Sequence, residues 1–199
     1  HVTEADKATE RLIRDQLAAA RPGDAVLGEE LGTEGESARR WIVDPIDGTA
    51  SYVRGMPIWA TLLALEEDGE LRLGVISAPA LGLRWWAARG EGAFAGGAAL
   101  SAETRPIQVS SVAAVEDAQL CYSDVLSWDE FRGSSDEFLA LARRCWRTRG
   151  VGDFWQHMLV AEGAADIAAE PIVNLWDLAA VLVIVEEAGG RFTDLDGNR

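Results

Sequence analysis

Two cysteines, two histidines and one lysine, Lys7, are strikingly few for a chain of 199 residues. A Cys/His zinc centre needs three or four such ligands, so thiolate-held transition metals are excluded. Carboxylate-bound Mg²⁺, Mn²⁺ or Ca²⁺ stays open. Cys121 and Cys145 do not make the bridge-dense framework of a small secreted domain. Positive charge is short as well: 18 Lys and Arg face 33 Asp and Glu, a net charge of −15. That balance repels phosphate backbones and anionic headgroups, and it predicts no nucleic-acid partner and no membrane partner. No apolar run reaches the roughly 18 residues of a spanning helix and no signal peptide is recognisable, so a cytoplasmic location is expected.

What the chain does have is apolar mass. Hydrophobic residues make up 48% and charged residues 26%, enough to bury a core in one large domain or two small, closely packed ones. Both ends are abrupt, as in a trimmed chain. Thr3 with Asp6 predicts a capping box, followed by a helix with its apolar positions at Ala5, Ala8, Leu12, Ile13 and Leu17 and its end at Arg21-Pro22-Gly23-Asp24. Ala25-Val26-Leu27 and Trp41-Ile42-Val43 predict short buried strands that run into acids, with a polar, Gly-rich loop over Gly32 to Ser37 between them. Strands are expected over Ile58 to Leu65, Leu71 to Ser77 and Arg84 to Ala88, the first two joined by the hairpin turn Glu67-Asp68-Gly69-Glu70. Ala95 to Thr104 has no periodicity and is expected to be a surface loop. Beyond Ser110 the pattern predicts a strand at Leu120-Cys121-Tyr122, helices over Asp129 to Cys145 and Phe154 to Gly163, and a strand at Ile167 to Ala169. An apolar helix over Leu175 to Ala188, a strand at Arg191 to Thr193 and a turn at Asp196-Gly197-Asn198-Arg199 complete it. The expected division is an N-terminal α+β half, 1–110, and an α/β half, 111–199.

The densest chemical signal is Asp44-Pro45-Ile46-Asp47-Gly48-Thr49. A buried strand delivers two carboxylates three residues apart, Pro45 stiffens the link, and Gly48 allows a tight turn. Carboxylates suit a hard divalent cation, and backbone N–H groups at Thr49 suit a phosphate. The bland alternative is an ordinary Asp-Gly turn, which leaves two acids behind an apolar strand without a partner. Gly28-Glu29-Glu30 ends the preceding strand in a similar way. Asp177, after Trp176, and Asp6 each have a simpler reading as helix-capping acids. Taken together, acids at strand ends and helix starts can converge on one crevice, where they repel unless a cation neutralises them.

Gly28-Glu29-Glu30, the Asp44-to-Thr49 motif and Trp176-Asp177-Leu178-Ala179-Ala180 together, in this order and spacing, resemble the inositol monophosphatase superfamily of Mg²⁺-dependent phosphatases. The resemblance covers nearly the whole chain, without the family's additional N-terminal helical stretch and C-terminal strand-helix unit. It implies a layered α-β-α-β-α sugar-phosphatase fold of the α/β (α+β) class, two or more Mg²⁺ ions (with Mn²⁺ as a substitute), a small phosphorylated metabolite as substrate and a homodimer. It places the metal ligands on Glu29, Asp44, the Ile46 carbonyl, Asp47 and Asp177. Thr49, supported by Asp6, falls on the hydroxyl that orients the attacking water, with Glu29 also catalytic. The substrate falls against Ile46, Asp47, Gly48, Thr49 and Asp177. Ser51-Tyr52 stands where the family usually has Asn-Phe, a change of pocket wall.

Within the superfamily, Tyr52 to Ala60, Ser77 to Leu81, Arg84 to Gly90 and Gly152-Asp153-Phe154-Trp155 are most similar to the L-histidinol-phosphate phosphatase branch. That substrate carries an amine and an imidazole, which carboxylates and aromatic faces suit. Asp153 and Glu170 are the candidate acids for those groups, and Arg149 is near the substrate by family position. Asp153 as a helix cap, and Trp85 and Trp86 as plain packing residues, are the alternatives. The competing functions are another sugar or nucleotide phosphatase such as an inositol monophosphatase, a metal-independent glycosidase, and a non-catalytic divalent-ion-binding module.

Overall fold

The computed structural model describes residues 3–99 and 103–198. His1, Val2, Arg199 and part of the expected loop, residues 100–102, lie outside the described residues.

The first helix, α1 (Glu4–Ala20), starts with the expected capping box: the Thr3 hydroxyl accepts from the Ala5 and Asp6 N–H groups, and Asp6 accepts from the Thr3 N–H at 2.8 Å. Its buried line differs from the expected apolar one. Asp6, Glu10 and Arg14, one per turn, are buried, while Ala8 is exposed and Leu12 is 61% exposed. Only Ile13 and Leu17 pack on the core, against Val26, Trp41 and Val43. Burial of the polar line is tolerable because its members are hydrogen-bonded.

Strand β1 (Ala25–Gly28) pairs antiparallel with β2 (Gly32–Glu34) and parallel with β3 (Arg39–Asp47). β2 replaces the start of the loop expected over Gly32 to Ser37, and β3 runs through the acidic motif instead of stopping before it. After the short helix α2 (Thr49–Val53) come β4 (Ala60–Glu67), β5 (Glu70–Ala78), β6 (Leu83–Ala88), β7 (Gly92–Gly97) and β8 (Thr104–Ile107). These eight strands form one sheet, ordered β2-β1-β3-β4-β5-β6-β7-β8. The β4–β5 turn has Asp68 and Gly69 at φ 53° and 81°, the backbone of a tight hairpin. β7 and β8 are a correction: Gly and Ala favour strands weakly, and here pairing with β6 decides.

A second sheet, ordered β10-β9-β11, is parallel: β9 (Gln119–Tyr122), β10 (Arg147–Gly150) and β11 (Ile167–Ala169). The single helix expected over Asp129 to Cys145 is two, α3 (Leu126–Arg132) and α4 (Asp136–Arg144), broken where Gly133 takes φ 75°. α5 (Asp153–Ala161) and α6 (Leu175–Glu187) lie where the sequence predicts helices. Arg191 to Thr193 joins no ladder among the described strands; Phe192 instead packs on the core and against the His157 ring.

The layers follow from where apolar side chains meet. α1 covers one face of the large sheet. α6, apolar nearly all round, crosses β3 to β7 on the other face with α5 beside it, burying Trp85, Ile76, Leu62, Phe154, Met158 and Ile184. α5 also contacts β11, and α3 and α4 close the outer face of the small sheet through Trp128 and Phe138 against Leu120. The order α-β-α-β-α is the one the resemblance implies. Trp85 is a core residue; Trp86 stacks on Phe94, 6.1 Å between ring centroids. Cys121 and Cys145 are free thiols.

Candidate metal and phosphate site

Residues 44 and 47 are an odd number apart, so in a regular strand they would face opposite sides of the sheet. The β3–β4 register prevents this. Asp44 pairs with Leu62 and Asp47 with Ala60, so three steps on β3 oppose two on β4. This bulge turns both carboxylates to one side. Pro45 has no N–H to leave unpaired within it, and its carbonyl accepts from the Thr61 hydroxyl at 2.9 Å. Gly48 then reverses the chain at φ 81°; a Cβ there would lie 2.8 Å from the Ile58 carbonyl oxygen.

Carboxylate oxygens of Asp44, Asp47 and Asp177 lie within 4.8 Å of one another. Two of the three are tethered. Asp47 Oδ2 accepts from the Phe154 N–H at 2.6 Å, at the start of α5. Asp177 Oδ2 accepts from the Asn174 N–H at 2.6 Å, completing the capping box of α6. The capping reading of Asp177 is thus correct and compatible with a place in the cluster. Asp44 is 2% exposed, and its buried Oδ1 has no hydrogen-bond partner. Glu29 stands beside this cluster: its N–H donates to the Val43 carbonyl at 3.1 Å and its carboxyl is hydrogen-bonded to Asp44.

The charge problem is visible in the acidities. Burial, then Asp47, Glu29 and Asp177, push Asp44 up to about 11. Burial and then Asp153 raise Asp47 well above the carboxylate range, against the pull of the Phe154 N–H. Glu29 rises to about 6 through burial and then Asp177, and burial, with Glu170 next, lifts Asp153 to about 6. Asp177 is raised, chiefly by burial. Hard oxygen donors crowded together where burial disfavours their anions, one with an orphaned buried oxygen, fit a divalent cation.

Thr49 opens α2, with its Oγ1 3.0 Å from the Ile46 carbonyl oxygen and 3.3 Å from Asp6 Oδ1. Asp6, on α1, therefore serves two ends: one oxygen in the capping box, the other on Thr49. A cavity of about 210 Å³ beside the acidic cluster is lined by Glu29, Asp47, Asp153, Glu170, Asn174 and Asp177, among others; Asp6, Asp44, Gly48 and Thr49 are not among its lining residues. A larger, more apolar depression of about 780 Å³ lies alongside, between β11 and α6; His157 and Glu170 border both. The acids mark the smaller one as the chemical site. Asp153 is the first residue of α5 after Gly152, with φ 50°, so it does not cap α5. Glu170 accepts from Gln156 Nε2 at 2.7 Å and lies 3.6 Å from His157 Nε2. Arg149 stands exposed on β10, donates to the Thr148 carbonyl, and is not among the residues lining the cavity. Sequence reasoning passed over His157, although it is one of only two histidines, and Glu10, one turn after Asp6.

These acidities fix the sign of a pH effect. A carboxyl whose native pKa is raised binds its proton more tightly folded than unfolded, so its contribution to stability is lost as pH rises. Glu29 and Asp153 release theirs between their unfolded values, 4.5 and 3.8, and about 6; Asp44 acts in the same direction up to about 11. Glu116, Asp124 and Asp194, which are lowered, act only in more acidic solution. The metal-free protein is therefore expected to melt at a lower temperature at pH 8 than at pH 5.5 in chelator. A divalent cation should remove most of that slope; a melting temperature that climbs with pH in chelator would contradict it.

Comparison with known proteins agrees with this geometry. The sequence matches the inositol monophosphatase family over residues 1–199. It is 54% identical over 200 residues to a histidinol-phosphatase of Streptomyces coelicolor, covering 98% of this chain and 74% of that protein. A histidinol-phosphatase of Mycobacterium tuberculosis is 53% identical over 197 residues, covering 98% and 75%. Among solved structures, the extragenic suppressor protein suhB from Bartonella henselae superposes with a TM-score of 0.87 at 32% identity, covering 99% of this chain and 74% of that one.

Proposed function

The chain belongs to the inositol monophosphatase family, and from that premise we propose that it is a Mg²⁺-dependent phosphomonoesterase that hydrolyses L-histidinol phosphate to L-histidinol and phosphate. The observation that carries the metal-dependent chemistry is the Asp44–Asp47–Asp177 cluster with its unpartnered Asp44 oxygen. The choice of substrate is supported by the two histidinol-phosphatases that share more than half of their aligned residues with this chain.

Asp44, Asp47, Asp177, Glu29 and the Ile46 carbonyl would hold the Mg²⁺ ions. Bound there, they would supply water activation and would stabilise charge on the phosphate and the leaving alkoxide. The protein's own part is positional and protonic. The Thr49 hydroxyl has one proton and donates it to Asp6 Oδ1, which leaves its lone pairs to accept from the attacking water. The phosphate rests against the backbone of Gly48 and Thr49. Among the described residues none lining the cavity is a serine, threonine or cysteine, in keeping with direct, in-line attack. Asp153, whose carboxylate lies against Gly48, and Glu170 line the cavity and would face the ammonium and imidazole. The same reading includes a homodimer in the cytoplasm, the former checked by light scattering.

Phosphate release from L-histidinol phosphate and inositol 1-phosphate, side by side, with and without Mg²⁺, tests the proposal. Mg²⁺-dependent turnover that favours histidinol phosphate is expected; turnover that survives chelation, or none on either ester, overturns it. These two acids give a sharper prediction. Asp153→Asn is a clean variant, because Asn accepts positive φ readily. With Glu170→Gln, it should reduce kcat/KM for histidinol phosphate much more than for a generic aryl phosphate. Truncating one partner of such a desolvated charge pair costs about 2–5 kcal/mol. Equal losses on both esters would make these acids structural.

A further inference from the structure

Glu10 is a charged side chain with no exposed surface, and the chemistry just described makes no use of it. Its carboxylate is saturated. Oε1 accepts from Arg14 Nε at 2.9 Å, Arg14 Nη2 at 2.7 Å and the Leu31 N–H at 3.3 Å; Oε2 accepts from the Glu30 N–H at 2.8 Å. Arg14 reaches onward to the Gly32 carbonyl at 2.6 Å and to Glu34 Oε2 at 3.0 Å. Every partner outside α1 belongs to residues 30–34, the chain segment that leaves Glu29. The contact is also steric: a Cβ on Gly28 would sit 1.9 Å from Glu10 Oε1, so the carboxylate occupies the space where residue 28 would carry a side chain.

A buried ion pair is weak evidence for stability, since desolvation offsets most of its attraction. Its geometry is more telling. The turn after β1 is gripped from both ends of Glu29: Gly28 lies flat on Glu10, and the N–H groups of residues 30 and 31 point at it. One turn earlier on the same helical line, Asp6 addresses Thr49. We propose that Glu10 and Arg14 are positioning residues for Glu29, and that the buried polar line of α1 sets the distance between the Glu29 side and the Thr49 side of the site. This rests on the reading of Glu29 as a metal ligand.

Binding of Mn²⁺ to the purified protein, followed by electron paramagnetic resonance without substrate, separates the two claims. Glu10→Gln keeps the shape but sets an NH₂ group against N–H donors. It should weaken Mn²⁺ binding about tenfold, the lower end for loss of a group that orients a ligand. The metal concentration for half-maximal turnover should rise in parallel, with KM for the ester unchanged at saturating metal. Leu120→Val, in the small-sheet cluster far from α1, lowers stability and should leave Mn²⁺ binding as it was. Glu29→Gln tests the underlying reading: if it binds Mn²⁺ like the parent, Glu29 is no ligand. If Glu29→Gln binds weakly while folded Glu10→Gln binds normally, the positioning role is overturned. Should Glu10→Gln not fold, Arg14→Lys keeps the charge and gives up the fork. Weakened Mn²⁺ binding in that variant upholds the proposal; parental affinity overturns it.

Discussion

Asp47→Asn is expected to abolish Mg²⁺-dependent phosphate release while raising the melting temperature of the metal-free protein. The two effects have one origin. Asp47 is 9% exposed, its pKa is pushed far up by burial and then by Asp153, and the Phe154 N–H favours its charged form. At neutral pH the metal-free native state must either take up a proton there or bear the charge. Asparagine does neither, and its carbonyl oxygen still accepts from Phe154. Relief of this kind contributes about 0.5–2 kcal/mol. On the catalytic side, metal-ion stabilisation of the transition state is worth several kcal/mol, and about 4 kcal/mol corresponds to roughly a thousandfold in rate. Phosphate release and differential scanning calorimetry in chelator measure the two halves separately. Substantial turnover in this variant would remove Asp47 from the metal site, and a drop in metal-free stability would show that its charge is compensated.

Thr49→Ala should lower kcat by about 10²–10⁴-fold, the range for a lost general acid-base group, with little change in KM. The hydroxyl sits between Asp6 and the Ile46 carbonyl, placed to handle a proton rather than to grip the ester. Its loss is then felt in the transition state and not in substrate binding. Thr49→Ser, which restores the hydroxyl, should recover most of the rate. Steady-state kinetics distinguishes the alternative: raised KM with normal kcat makes Thr49 a binding residue.

Much of this site was legible because its signals are local. An apolar strand, two acids around a proline, then Gly-Thr, is a pattern carried within residues 41–49, and the capping box at Thr3 marks the start of α1. What stayed hidden depends on partners distant in the chain. The bulge that turns Asp44 and Asp47 to one side exists only in pairing with β4. Periodicity on α1 pointed to Leu12, whereas the surface actually facing the protein is polar because the turn at residues 28–32 supplies hydrogen bonds to it. β10, Arg147–Gly150, has the composition of a surface loop and is a strand because β9 lies beside it. The break between α3 and α4 was the one local signal passed over, since Gly133-Ser134-Ser135 stands in the sequence itself.

Two of the helices begin at the acidic cavity, and each brings an acid in its first turn: Asp153 on α5 and Asp177 on α6. Aligned peptide dipoles leave the start of a helix with about half an elementary positive charge. The backbone therefore directs on the order of one positive charge at these carboxylates, in a chain whose single lysine is Lys7. A molecule of net charge −15 can in this way present a phosphate dianion with a locally milder potential than its surface implies. It does so without a lysine or arginine among the residues lining the cavity that would compete with a metal ion for the same oxygens.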